Sequence, residues 1–477
     1  MAVLCIFFAL PFGMNRVDFN GSTDLVIGWV TTNGPGKGKN MAEISLLLSA
    51  KLFGGIIGGL TGIIVGPSFG CRTLSIVYLV ITVCASIIGF ISLQCNNYPL
   101  LVVSRTVTGI GNAGSWVSVS NYVTEIAASS NRGQLSFLLL VSREIGMLVG
   151  TILSSPLMLG NPGAWHYILV VIAFWYLPAA FWLTRFPESP RYLLYVKSNS
   201  KEALDSVRFF YPPSEGAEVV RSLTAGLQQY QAQLTDQRWF STLTWSGFWK
   251  PLFLSIGLGA VFGFGSRMLL ANLSVYILHQ LGISWHGARY ANILIILLVS
   301  VAMFPFTAVV DRYERRKLLQ AGAISTWVCQ VSLVIISFAA SLREVDLAVK
   351  TASVFVVTMW FFSVTLGLAP CNIIVSEMFN QRHRNVARSV LFLVQSLTGS
   401  LSTFIYPLVN MTIGLLGLTV AFTVCSLSVI SKLPKTTGRA LENITAKDEH
   451  SIKVEAQVPF ELDIAPLTSS HSRKHEP

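Results

Sequence analysis

Charge is what this sequence has least of: only 12% of its 477 residues are Asp, Glu, Lys or Arg, while 52% are hydrophobic. With a mean hydropathy of +0.60, the chain has too little polar surface to close a soluble globule. Metal-ligand spacing is missing too. Cys5, Cys71, Cys84, Cys95, Cys329, Cys371 and Cys425 fall into no paired pattern, and most lie in apolar runs, so neither a metal nor another cofactor is expected. No strand-flanked glycine loop and no nucleophile with a neighbouring base is present, which argues against an enzyme. "GIGNAG" at 109–114 sits inside an apolar helical run and reads as close helix packing. The net charge of +11 comes from cations dispersed between apolar runs, with no single basic face, so no nucleic-acid partner is expected.

Long apolar runs are what the sequence does have. A helix crosses the hydrocarbon core with roughly 20 apolar residues. Twelve segments approach that length: 2–19, 43–66, 72–93, 99–122, 134–157, 165–186, 252–278, 288–310, 318–340, 351–375, 386–409 and 413–433. The first stops early, at "GMNRVDF", and is expected to be the remainder of a helix that begins upstream. The lipid bilayer is therefore the expected surrounding of an all-α, multi-pass membrane protein.

Lys and Arg between the runs set the orientation. The loops holding Arg72, Arg132, Arg191 to Lys250, Arg312 to Lys317 and Arg382 to Arg388 are expected to be cytoplasmic. Lys37, Lys39, Arg289, Arg343 and Lys350 fall on the opposite side, and the sequon Asn20-Gly21-Ser22 is expected to face outward with them.

The charged loops repeat. "NYVTEIAASSNRGQ" places Glu125 seven residues before Arg132, and "NIIVSEMFNQRHRN" places Glu377 seven before Arg384. Glu377 follows Glu125 by 252 residues, and Arg384 follows Arg132 by the same 252. A six-plus-six duplication accounts for this offset, the plan of a rocking transporter with alternating access. The expected divisions are an N-terminal bundle over 1–186, a cytoplasmic linker with short helices over 187–250, a C-terminal bundle over 251–434 and a disordered tail over 435–477. In the linker, "SNSKEALDSVRFF" starts a helix capped by Ser198 or Ser200.

Taken in order, several motifs resemble the sugar porter family of the major facilitator superfamily. They are "SRTVTGIGNAG" at 104–114, Glu125 with Arg132-Gly133, "PESPR" at 187–191, Asp311-Arg312 with Arg315-Arg316, Ser376-Glu377 with Arg384, and a degenerate "PKTTG" at 434–438. The resemblance implies twelve transmembrane helices in two six-helix bundles. It also implies that Arg105, Glu125, Arg132, Glu188, Arg191, Asp311, Arg315, Arg316, Glu377 and Arg384 belong to the gating charges. Ion pairs across the two halves would lock the cytoplasmic side, at about 1 kcal/mol each.

The same resemblance points to a small-molecule substrate, a sugar, bound by amides and aromatic faces. Aligned on the motifs, Asn372 takes the helix 10 position and Gln395 the helix 11 amide, while Leu140 replaces the helix 5 Gln. Helix 7 reads "FGFGSRMLL", with Arg267 where amides are usual. An arginine at that depth costs about 2.5–3.5 kcal/mol in lipid and must face a partner or a cavity. Arg143 lies eleven residues beyond Arg132, about 16 Å along the helix. Arg267 therefore either pairs with Glu144, or leaves Arg143 or itself free for an organic anion. In helix 1, the position of the family's proton-coupling carboxylate falls on Asn15, which favours a passive uniporter in the plasma membrane with a cytoplasmic C-terminus; Asp18, one turn on, could replace it beside Arg105. A monomer is expected to suffice, and a non-transporting sensor or scaffold on the same fold stays as an alternative.

Overall fold

The computed structural model describes residues 2–36, 40–66, 68–127, 132–212, 216–221, 223–224, 226–227, 249–305, 314–342, 346–379 and 384–430. Among the described residues all regular structure is helical. The first half holds α1 (Ala2–Arg16), a short 3-10 turn (Asn20–Ser22), α2 (Thr23–Asn33), α3 (Met41–Val65), α4 (Cys71–Gln94), α5 (Tyr98–Ile126), α6 (Arg132–Leu153) and α7 (Ile168–Arg185). Two short helices follow, α8 (Pro190–Tyr195) and α9 (Ser200–Phe210). The second half holds α10 (Lys250–Phe264), α11 (Arg267–Gln280), α12 (Trp285–Met303), α13 (Arg315–Leu342), α14 (Leu347–Met378), α15 (Arg384–Ile405) and α16 (Met411–Val429).

Ten of the described helical stretches are long and apolar enough to cross a membrane, with α10 and α11 together forming one of them. The other two spans are α5, whose 29 residues carry Arg105, Asn112, Asn121 and Glu125, and the broken pair α1–α2. The first span thus reaches Asn33, well beyond the expected end at residue 19. Hydropathy misplaced that end because "NRVDFNGSTD" reads as a loop, yet Asn15, Arg16, Asp18, Asn20, Ser22 and Thr23 are all buried in the protein interior. The sequon expected outside is overturned by the same fact: Asn20 is 1% exposed and hydrogen-bonded to Ser274.

Asparagine and serine open many of these helices. Asn40, Asn97, Ser284 and Asn410 each accept a backbone N–H of the first turn, satisfying a donor that would otherwise be orphaned. In the linker Asn199 caps α9, where Ser198 or Ser200 was expected. The lipid face is apolar and exposed, as with Phe174, Leu177 and Phe181 on α7 and Leu427 on α16.

Packing inside the first half depends on close backbone approach. A Cβ on Gly54 of α3 would lie 1.9 Å from the Thr106 carbonyl oxygen of α5, and one on Gly109 would lie 1.9 Å from that of Lys51. Only glycine at both places lets α3 and α5 meet, which is the role expected for the glycine run in α5. The halves meet along α3 and α15, where Gly55 faces Ser396 and Gly62 faces Ser389, and along α6 and α12.

Residues 228–248 of the linker, the loop with Asp311 and Arg312, and the tail expected to be disordered lie outside the described residues, as do the side chains of Arg132, Glu377 and Arg384.

Candidate functional site

Two spans break in the middle of the molecule, and the breaks place the polar groups. In the first span Asp18 turns its Oδ1 back onto the Phe19 N–H at 2.9 Å, a side-chain bond that competes with helical pairing between α1 and α2. The other break separates α10 from α11 at Gly265 and Ser266, where Ser266 has a left-handed φ of 67°. The carbonyls freed there find donors across the second half: Gln330 Nε2 of α13 on Phe264 O at 3.0 Å, and Trp360 Nε1 of α14 on Gly265 O at 2.9 Å. Non-helical backbone at membrane depth is tolerated because its polar groups are satisfied in this way.

A first buried charge cluster forms around Asp18. Lys51 Nζ lies 2.9 Å from Asp18 Oδ1, and Arg105 Nη1 lies 3.0 Å from Asp18 Oδ2. Arg105 also donates to the Leu47 carbonyl at 3.3 Å and stacks over Phe19, 4.1 Å from the ring centroid. Arg105, read as a gating charge, is thus an interior partner of Asp18. Asp18, one turn beyond Asn15, is thus a buried carboxylate beside Arg105. Asn15 itself accepts from Asn112 Nδ2 at 3.1 Å, its carbonyl accepts from Lys51, and Tyr176 donates to Asn112 Oδ1 at 3.2 Å.

A second cluster sits where α6 faces α11. Glu144 Oε1 accepts two bonds from Arg143, at 3.2 and 2.8 Å, and one from Arg267. Arg267 Nε reaches Thr365 Oγ1 at 3.3 Å, and its guanidinium lies over Phe361. Arg143 lies over Trp116, which is stacked on Phe12. The pairing of Arg267 with Glu144, one of the two alternatives read from the sequence, is made in this structure, and it joins the two halves.

Asn372 and Gln395 do not join these networks among the described residues. Asn372 Nδ2 turns back to the Leu368 carbonyl at 3.0 Å, and Gln395 is buried with its amide nitrogen unpaired. Leu140 is buried in the apolar cluster of the first half. Asn272, on α11, is an interior amide the sequence reading passed over; it bonds to the Met268 carbonyl.

The residues expected to form the gate are described in part. Glu188 accepts from the Arg72 and Thr73 backbone N–H groups at 2.9 and 3.2 Å and from Thr73 Oγ1 at 3.1 Å. It caps the start of α4, where the helix dipole favours an anion. Glu125 takes the Cys71 thiol at 3.8 Å. Arg191 lies in α8, and Arg315 and Arg316 open α13; all three are half-buried. A contact that the sequence did not single out spans the halves at the end bearing α8 and α9. Arg388 of α15 donates to Asn121 Oδ1 at 3.1 Å and Thr124 Oγ1 at 2.7 Å on α5. At the opposite end Arg289 of α12 pairs with Asp24 of α2 and donates to the Gly160 carbonyl at 3.1 Å. Between them, Asn20 donates to Ser274, which donates to Asn292. Both ends are therefore tied across the halves.

A model of the family described as "Sugar (and other) transporter" matches residues 18–447. The chain belongs to this family. The major myo-inositol transporter IolT of Bacillus subtilis is 24% identical over 408 residues, covering 84% of each chain. Human facilitated glucose transporter member 7 is 23% identical over 442 residues, 90% of this chain and 84% of that one. Among solved structures, the major facilitator superfamily proton:xylose symporter XylE with a bound bromodeoxyglucose superposes with a TM-score of 0.76 at 17% identity, covering 94% of this chain and 98% of its own. XylE from E. coli in a partially occluded, inward-open conformation gives 0.70 over 92% and 98%. The protein thus has the major facilitator fold, twelve spans in two six-helix bundles with linker helices, and is a membrane transporter rather than an enzyme.

Proposed function

We propose that this family member is a facilitative carrier of a sugar-sized polyhydroxylated solute, working by alternating access. The observation that carries the reading is the arrangement of buried polar groups from both halves at two broken spans, with cross-half contacts at each end. Such contacts can be made and broken in turn as the halves rock. Relatives named as carriers of myo-inositol and glucose supply the substrate class.

In this reading residues 1–186 and 251–434 are the moving halves and 187–250 the linker. The end bearing α8 and α9 faces the cytoplasm together with the C-terminus, and the protein acts as a monomer in the plasma membrane. Asn15, Arg143, Arg267, Asn372 and Gln395 face the substrate when the halves separate. Arg388 with Asn121 and Thr124 closes the inner end, assisted by Glu125, Arg132, Glu188, Arg191, Asp311, Arg315, Arg316, Glu377 and Arg384; Arg289 with Asp24 closes the outer end. Arg105 holds Asp18 in the interior.

The test is uptake of radiolabelled glucose and myo-inositol into proteoliposomes. Saturable uptake that stops at equal concentrations inside and out is expected, and absence of any saturable flux refutes the carrier. A second reading, proton-coupled uptake, is favoured by one observation: Asp18 is a buried carboxylate on Arg105 of α5. Accumulation above equality under an inward proton gradient, lost in Asp18→Asn, would establish it in place of passive transport.

A further inference from the structure

The second buried cluster carries more cations than its one carboxylate answers. Arg143 and Arg267 both donate to Glu144 Oε1, and Arg267 also reaches Thr365. Arg16, the last residue of α1, lies within electrostatic reach of Arg143, Arg267 and Glu144 and is 6% exposed. Its Nη1 has no hydrogen-bond partner. The packing of α1 on α6 fixes this neighbourhood, since a Cβ on Gly13 would lie 2.1 Å from the Arg143 carbonyl oxygen and one on Gly146 2.1 Å from that of Leu10. Arg267 also occupies the first turn of α11, where the helix dipole is positive and the Ser266 side chain does not cap. Three buried guanidinium groups, one of them in the first turn of α11, are therefore gathered around one carboxylate, with Arg16 also lying over the Phe12 ring. Holding such an excess of buried charge without an anion costs several kcal/mol.

The orphaned atoms are of two kinds. Arg16 Nη1 is a donor that lacks an acceptor, and Glu144 Oε2 is an acceptor that lacks a donor. A neutral sugar offers hydroxyls to both but leaves the charge uncompensated. A carboxylate alone satisfies the arginine and is repelled by Glu144. A hydroxylated carboxylic acid satisfies both, with its carboxylate on the guanidinium and a hydroxyl donating to Glu144.

We infer that the carrier takes a sugar acid, a polyhydroxylated monocarboxylate of hexuronate or aldonate type, whose carboxylate is bound by Arg16 at the end of α1 and whose hydroxyl donates to Glu144. The inference rests on the carrier reading above and narrows it. An ion moved alone is electrogenic: at 100 mV, inside positive, a monoanion gains about 2.3 kcal/mol, an accumulation of roughly 50-fold at equilibrium.

The experiment uses the full chain in proteoliposomes, with a potassium diffusion potential set by valinomycin, and labelled glucuronate and glucose as parallel probes. Saturable glucuronate uptake that rises with inside-positive potential is expected, with glucuronate competing against glucose. In Arg16→Gln, KM for glucuronate should rise at least tenfold and by more than KM for glucose. Arg16→Lys, which keeps the charge and loses the planar fork, should retain the voltage response at reduced affinity. If glucose is carried while glucuronate neither moves nor competes at a hundredfold excess, the sugar-acid inference is overturned and the carrier stands. If neither probe moves, the carrier reading falls and takes this one with it.

Discussion

Removing the Asp18 carboxylate tests the interior electrostatics most directly. In Asp18→Asn, Lys51 and Arg105, each 3% exposed, would keep their places with no anion between them, because Leu47, Phe19 and the Asn15 carbonyl hold them from other sides. Breaking a buried ion pair by deleting one partner costs about 3–5 kcal/mol. Here one carboxylate serves two cations, so the upper part of that range is expected. Lys51→Met alone should cost less, since Asp18 retains Arg105. The double variant should then recover at least about 1 kcal/mol relative to the sum of the singles, because the methionine removes one of the stranded charges. Equilibrium unfolding in mixed micelles, followed by tryptophan fluorescence for the four members of the cycle, measures this. Strict additivity, or a loss below about 1 kcal/mol for Asp18→Asn, would refute the claim that these three side chains form one coupled unit.

Four further outcomes follow from the packing and the cross-half contacts. Trp360→Phe keeps the ring but strands the Gly265 carbonyl, and is expected to lower stability by about 1–3 kcal/mol in the same unfolding assay. Gly109→Val places side-chain atoms against the backbone of α3 and should cost about 1–3 kcal/mol or more, with poor yield of folded protein on size-exclusion chromatography as the visible result. Arg388→Ala removes the bonds to Asn121 and Thr124 and should speed thiol labelling of a Ser120→Cys reporter on the order of tenfold, for a shift of about 1.4 kcal/mol toward the inward-open state. Asp24→Asn should slow the same labelling by loosening the other end.

The sequence made the scaffold legible because lipid allows few ways to span it: eleven of the twelve expected segments overlap described helices closely, and the repeat of Glu125 and Arg132 exposed the two halves. What it hid has a common physical cause. Hydropathy treats a polar stretch as a loop, whereas in this fold polar stretches at breaks face the interior, so Asp18 and Asn20 were read outside or in doubt. Lys51 stood in the middle of an apolar run, in "LLLSAKLFGG", and that isolation was the available signal. The pairing of Arg267 with Glu144 could be foreseen because both charges stood at similar depth. Arg388 and Arg289 could not, because their partners include the Ser120 carbonyl, an amide and a hydroxyl in one case and a carbonyl and a distant aspartate in the other, none of which leaves a motif.

The break between α10 and α11 has a mechanical meaning. The carbonyls it frees are held by α13 and α14, while the 14-residue α11, about 21 Å long, leans on the first span through Ser274 and Asn20. The first part of that span is thus anchored within its own bundle, and the second packs on the same bundle while also reaching across to the first span. In the proposed alternating access, opening the end closed by Arg289 would swing α11 as a short lever about Ser266, admitting the solute while α10 keeps its packing.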